Sequence, residues 1–131
     1  MKELRVIIAG SRDFDDFPKL MNSCIDILSS ITNNNKNLGK IRIVSGAARG
    51  ADQLGEQYAK LVGYEVSKFP ADWDGLGKRA GYVRNAEMAK YAMENSNYGV
   101  LIAFWDGKSK GTKHMIDLAK RNGLEVHIVR F

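Results

Sequence analysis

Leu4-Arg5-Val6-Ile7-Ile8-Ala9-Gly10-Ser11-Arg12-Asp13-Phe14 is a β-branched, apolar run that stops at a glycine and turns polar. It is apolar nearly throughout rather than alternating, which is the pattern of a strand covered on both faces. Runs of the same kind recur at Ile41–Ser45, Glu65–Phe69, Tyr98–Phe104 and Glu125–Val129. Between them, Phe17–Ile31, Ala51–Val62, Tyr82–Met93 and Thr112–Arg121 carry apolar residues at helical spacing. Gly63 and Gly123 follow two of these helices at C-cap positions. Strand and helix alternate without interruption, which implies parallel strands joined by right-handed crossovers. The expected fold is α/β: a Rossmann-like, doubly wound parallel sheet of about five strands with helices on both faces, in the order 3-2-1-4-5.

The chain of 131 residues fits one domain spanning 1–131. Its composition, 44% hydrophobic and 27% charged with 2 prolines, supports an ordinary core and argues against disorder. The one cysteine, Cys24, lies among Phe17, Leu20, Met21, Ile25 and Leu28, and reads as a small buried hydrophobe rather than a nucleophile. No metal-ligand cluster accompanies it, and no metal is expected. No segment reaches the roughly 20 apolar residues of a membrane span, so a cytoplasmic protein with no membrane partner is expected. Asparagine-rich Thr32–Gly39 reads as a surface loop on the edge away from any ligand. The formal charge of +5 favours anionic partners without choosing among them.

In a parallel sheet every strand-to-helix turn lies on one edge, where ligands bind. After the first strand, Gly10-Ser11-Arg12 offers a sharp turn, a hydroxyl donor and a guanidinium fork. After the second, Ser45-Gly46-Ala47-Ala48-Arg49-Gly50-Ala51-Asp52 offers small residues with exposed N–H groups ahead of a helix start. Asp52 there either serves the helix dipole or accepts from ribose hydroxyls. After the third, the long stretch Pro70–Gly81 combines Trp73 with Lys78 and Arg79 and leads to Arg84 and Asn85. It reads as a lid over an anion, or else Trp73 packs inward as core. After the fourth, Trp105-Asp106-Gly107-Lys108-Ser109-Lys110-Gly111-Thr112 offers a second phosphate turn built on Ser109, Gly111 and Thr112. His114 follows, either structural or a proton carrier.

The strings GSRDF (10–14), SGAARGADQLGEQYA (45–59), FPADW (69–73), GYVRNAEM (81–88) and FWDGKSKGTKHMI (104–116) resemble the YspA/YpsA-related branch of the SLOG superfamily over nearly the whole chain. The resemblance implies a Rossmann-like fold binding nucleotide or nucleotide-derived ligands; the residues single out no cofactor, and a nucleotide or ADP-ribose-like ligand is the candidate occupant. It also implies a phage, mobile-element or defence setting, and a homo-oligomer by analogy with LOG-type dimers. In LOG-type phosphoribohydrolases a glutamate of the P-G-G-x-G-T-x-E-E loop acts with an arginine. Here His114 stands at the first glutamate position and Arg84 at the arginine's, which discounts that hydrolysis. A nucleotide hydrolase using Arg84 and His114 or an aspartate is the alternative. The S-G-x-A-R-G-x-D-like loop of DNA-processing protein A makes single-stranded nucleic acid a further candidate partner, with Trp73 or Trp105 stacking on bases.

Overall fold

In the computed structural model, which describes residues 2–131, the elements are β1 (Lys2–Gly10), α1 (Phe17–Asn34), β2 (Leu38–Ser45), α2 (Ala51–Val62), β3 (Glu65–Lys68), α3 (Trp73–Leu76), α4 (Ala80–Met93), β4 (Tyr98–Trp105), α5 (Lys110–Arg121) and β5 (Glu125–Arg130). All five strands are parallel, in the order β3-β2-β1-β4-β5. This is the α/β, Rossmann-like sheet and strand order expected from the sequence.

The non-alternating strands are explained by their two covers. Leu4, Val6 and Ile8 of β1 face α1 and α2 and pack with Leu20, Cys24, Leu28 and Tyr58. Ile7 and Ala9 face α4 and α5 and pack with Met88, Ala92, Met115 and Ala119. Strand alternation thus sends successive β1 side chains into two different cores, both apolar. Cys24 is fully buried in the first core, and burial pushes its thiol pKa up to about 12, which leaves it inert.

Two segments differ from the sequence reading. The helix α1 continues to Asn34 and β2 begins at Leu38, so little of Thr32–Gly39 is loop. Thr32 Oγ1 donates to the Leu28 carbonyl (2.9 Å) and Asn35 Nδ2 to that of Ile31 (2.8 Å). These polar side chains satisfy carbonyls at the helix end instead of breaking the helix. The second segment is Pro70–Gly81, which is not an open loop. It holds α3, a 3-10 turn at Gly77–Arg79 and the start of α4. The Asp72 carboxylate caps α3 by accepting from Gly75 N at 2.9 Å, and buried Ala80 fixes the entry to α4. Gly63 is the left-handed C-cap of α2 (φ 86°), while Asn122 caps α5 and Gly123 (φ 82°) follows it. No helix among the described residues is long and apolar enough to cross a membrane.

Candidate functional site

Because α1 and α2 cover one face and α4 and α5 the other, the chain changes sides between β1 and β4. A crevice opens there at the carboxyl ends of the strands. It is a cleft of about 630 Å³, and residues from all the turns named above line it. That volume suits a small-molecule ligand.

The floor begins at Gly10, which pairs with Phe104 of β4. A Cβ on Gly10 would collide with the Phe104 carbonyl oxygen and come within 2.9 Å of the Ala51 side chain. The absence of a side chain lets β1, β4 and α2 meet. Ser11 N then donates to the same Phe104 carbonyl at 3.0 Å. The Ser11 side chain is turned into the cleft and is only 3% exposed. Its Oγ approaches Asp106 but completes no hydrogen bond among the described residues. A buried hydroxyl without a partner is costly and uncommon.

The β2–α2 turn builds one wall. Its small residues do not present an empty N–H cradle, because its own side chains take two of those groups. Ala47 N donates to Ser45 Oγ (3.0 Å) and Ala48 N to Asp52 Oδ2 (3.3 Å). Ser45 Oγ in turn donates to Glu56 Oε2 at 2.6 Å. Arg84 reaches across from α4 and donates through Nη1 to the Gly46 carbonyl at 2.6 Å, and through Nε to Asn85 Oδ1 at 3.0 Å. A Cβ on Gly46 would stand 2.6 Å from Arg84 Nη1 and 2.8 Å from Asp52 Oδ2, so the glycine makes room for cation and carboxylate together.

Asp52 is nearly fully buried, and burial pushes its pKa up to about 6. The Arg84 charge and the Ala48 and Gly10 N–H groups pull the other way, and Glu56 adds to the rise. Burial also lowers the Arg84 pKa, Asp52 raises it and neighbouring Arg12 lowers it.

The opposite wall is the β4–α5 turn. Asp106 Oδ1 accepts from Lys108 N and Ser109 N, both at 2.8 Å, and these bonds hold its pKa below the usual aspartate value. Ser109 caps α5, its Oγ accepting from Thr112 N (3.4 Å) and bonding Thr112 Oγ1 (3.1 Å). Over the mouth stands Trp73, 49% exposed, with the Arg12 guanidinium 5.8 Å from its ring centroid. Trp73 is therefore not core.

The fold brings most of the sequence candidates together. Gly10, Ser11, Arg12, Arg49, Asp52 and Trp73 line the cleft. So do Lys78, Arg84, Asn85, Asp106, Ser109, Gly111 and Thr112. Gly46 and Ala47 line an adjoining hollow of about 400 Å³. Ser45, Trp105 and His114 lie outside both. Trp105 packs on the second core, its Nε1 donating to the Ser109 carbonyl at 3.1 Å and Arg130 lying over its ring. The His114 Nδ1 is 3.1 Å from Asn85 Nδ2, and its ring meets Tyr82 edge-on, with centroids 4.3 Å apart. Burial, then Arg121, lower the His114 pKa against an opposing pull from Asp117. Ala48, Tyr82, Met88 and Met115 also line the cleft without having been singled out. Ala48 and Tyr82 fall inside conspicuous strings. The two methionines sit on the apolar stripes of their helices, and nothing in the sequence separates them from core.

A family model, the YspA, cpYpsA-related SLOG family, matches residues 4–75, which span β1 through α3's capped start and hence the Ser11 and Asp52 turns. Gene 61 protein of Mycobacterium phage D29 is similar to the chain, with 32% identity over 127 residues covering 93% of each. No solved structure matches. The parallel sheet, the glycine turns at its carboxyl edge and these two similarities agree: the chain belongs to the YspA, cpYpsA-related SLOG family.

Proposed function

We propose that the cleft binds a nucleotide or nucleotide-derived ligand carrying phosphate and ribose. The observation that carries this reading is the Ser11 hydroxyl, buried in the cleft without a partner between the starts of α2 and α5. Such a group calls for a hydrogen-bonding ligand. The surroundings favour an anion with a sugar and a ring attached. Arg12, Arg49, Lys78 and Arg84 supply positive charge, Asp52 and Asp106 supply acceptors for hydroxyls, and Trp73 supplies an exposed aromatic face. Family membership supports the same ligand class.

Trp73 is in the cleft and Trp105 is not, so binding should change the emission of one tryptophan only. Titration with AMP or ADP-ribose is expected to quench fluorescence in the native chain and in Trp105→Phe, with little response in Trp73→Phe. Arg12→Ala is expected to weaken binding about tenfold or more by calorimetry, the loss of one charge-assisted contact. Unchanged affinity in that variant would contradict the reading.

A hydrolytic reading is favoured by one specific observation. Asp52 is buried in the cleft beside Arg84 with a pKa near 6, suited to exchanging a proton near neutral pH. Incubation with nucleoside monophosphates and NAD followed by chromatography decides it. Released base or phosphate supports it, and unaltered substrates across the panel remove it.

A further inference from the structure

The site has two lobes that differ in charge. The inner lobe is the 630 Å³ cleft, and the outer is the 400 Å³ hollow between the Gly46–Arg49 turn and Pro70–Trp73. They share Arg12, Arg49 and Arg84. The carboxylates that touch the site, Asp13, Asp52 and Asp106, all line the inner lobe, together with Lys78 and Lys108. Among the described residues no carboxylate lines the outer one.

The turn that leads into α5, the other natural seat for an anion, already holds a carboxylate. Asp106 takes the N–H groups of Lys108 and Ser109, and Ser109 Oγ takes that of Thr112. A phosphate placed there would meet a carboxylate that ionises readily. In the outer lobe Arg12 and Arg49 face space instead, while Arg84 is held at its edge by the Gly46 carbonyl and Asn85. Among the described residues Arg49 donates only to the Arg12 carbonyl (3.4 Å) and lies 3.9 Å from an exposed Asp13, while Arg12 makes no ion pair.

Resting on the nucleotide reading above, we propose that the ligand lies in one direction, with a single terminal phosphate among Arg12, Arg49 and Arg84 in the outer lobe and its sugar and base in the inner lobe against Ser11 and Asp106. The class this selects is a nucleoside monophosphate or another ester with one charged end. A molecule with phosphate at both ends would press its second charge against Asp106. The orientation also gives Ser11 Oγ its missing partner, a hydroxyl or ring atom of the neutral part.

Amide shifts followed by NMR during titration with inorganic phosphate, adenosine and AMP test this. Phosphate is expected to move Arg12 and Gly46–Arg49, adenosine to move Ser11 and Asp106–Gly111, and AMP to move both sets. Arg49→Ala, which alters an exposed side chain, is expected to weaken phosphate and AMP about tenfold and adenosine far less. Asp106→Asn is expected to weaken AMP; if phosphate sat at α5, removing that carboxylate would tighten it. Phosphate shifts at Lys108–Gly111, with tighter AMP binding by Asp106→Asn, overturn the orientation and leave the nucleotide reading standing. Shifts confined to scattered surface lysines, an adventitious ion only, overturn the orientation. No cleft response to any of the three probes overturns both.

Discussion

Gly10→Ala is expected to lower the free energy of unfolding by about 3 kcal/mol, the upper part of the range for overpacking. The added methyl group would collide with the Phe104 carbonyl oxygen and crowd Ala51. Both neighbours are fully buried, and one is backbone, so neither yields by a change of rotamer. Relief requires β1 and β4 to part at the position where Ser11 N bonds Phe104. For a chain of this size the melting midpoint should fall by roughly 10 °C. Gly111→Ala supplies the contrast. A Cβ there meets nothing within 4 Å and the position is helical, so the change should stabilise by up to about 1 kcal/mol. Thermal and urea melts of the two variants check both signs. A native-like midpoint for Gly10→Ala would mean that the strands do not approach as closely as described. Ligand affinity should fall with stability in that variant, because Ser11 moves with the strand end.

The second large effect is a dependence on pH carried by Asp52. Its carboxyl pKa is raised in the fold, from an ordinary 3.8 to about 6. The folded state therefore holds a proton that the unfolded chain has released between those values. Asp52 favours folding most below about pH 4, and the advantage is lost as pH rises through about 6, amounting to roughly 3 kcal/mol across the window. Asp52→Asn cannot ionise, and its side-chain oxygen can still accept from Ala48 N. The native chain should lose stability relative to Asp52→Asn as pH rises from 4 to 7, by up to that amount in urea melts. Parallel pH curves for the two proteins would rule out a buried, proton-holding Asp52. The same measurement bears on hydrolysis, which needs a group that changes protonation near neutral pH.

Much of the fold was legible because it rests on local pattern. The apolar run of β1 and the helical stripe of α1 each announce an element, and strict alternation leaves the parallel sheet as the economical arrangement. The errors fell where polar side chains satisfy backbone within a few residues. Thr32 and Asn35 bond back onto α1 and extend it, while Asp72 caps α3 inside what composition marks as a loop. Composition reports polarity, and it does not report where a polar atom turns.

The candidate site was legible to the same depth. That Gly10, Gly46, Asp52, Trp73 and Gly111 gather on one edge follows from topology, since parallel strands send every such turn the same way. What each turn does once there depends on contacts between residues far apart in the chain. Trp73 and Trp105 look alike in sequence, yet one stands over the cleft and the other packs on the core under Arg130. The sequence leaves His114 either structural or a proton carrier, and only the fold shows it bonded to Asn85 and set edge-on to Tyr82, outside the residues that line the cleft.

The sequence by itself determined the fold class and the edge on which chemistry can occur, because hydrophobic period and turn residues act over a few positions; the strand order was expected from the usual topology of that fold class. Only the tertiary structure decided that the Ala47 and Ala48 N–H groups are spent internally, that Arg84 crosses to Gly46 beside a buried Asp52, and that Ser11 is left without a partner. Hydrogen-bond satisfaction and desolvation are set by whatever packs against a group in three dimensions, and those neighbours come from every part of the chain.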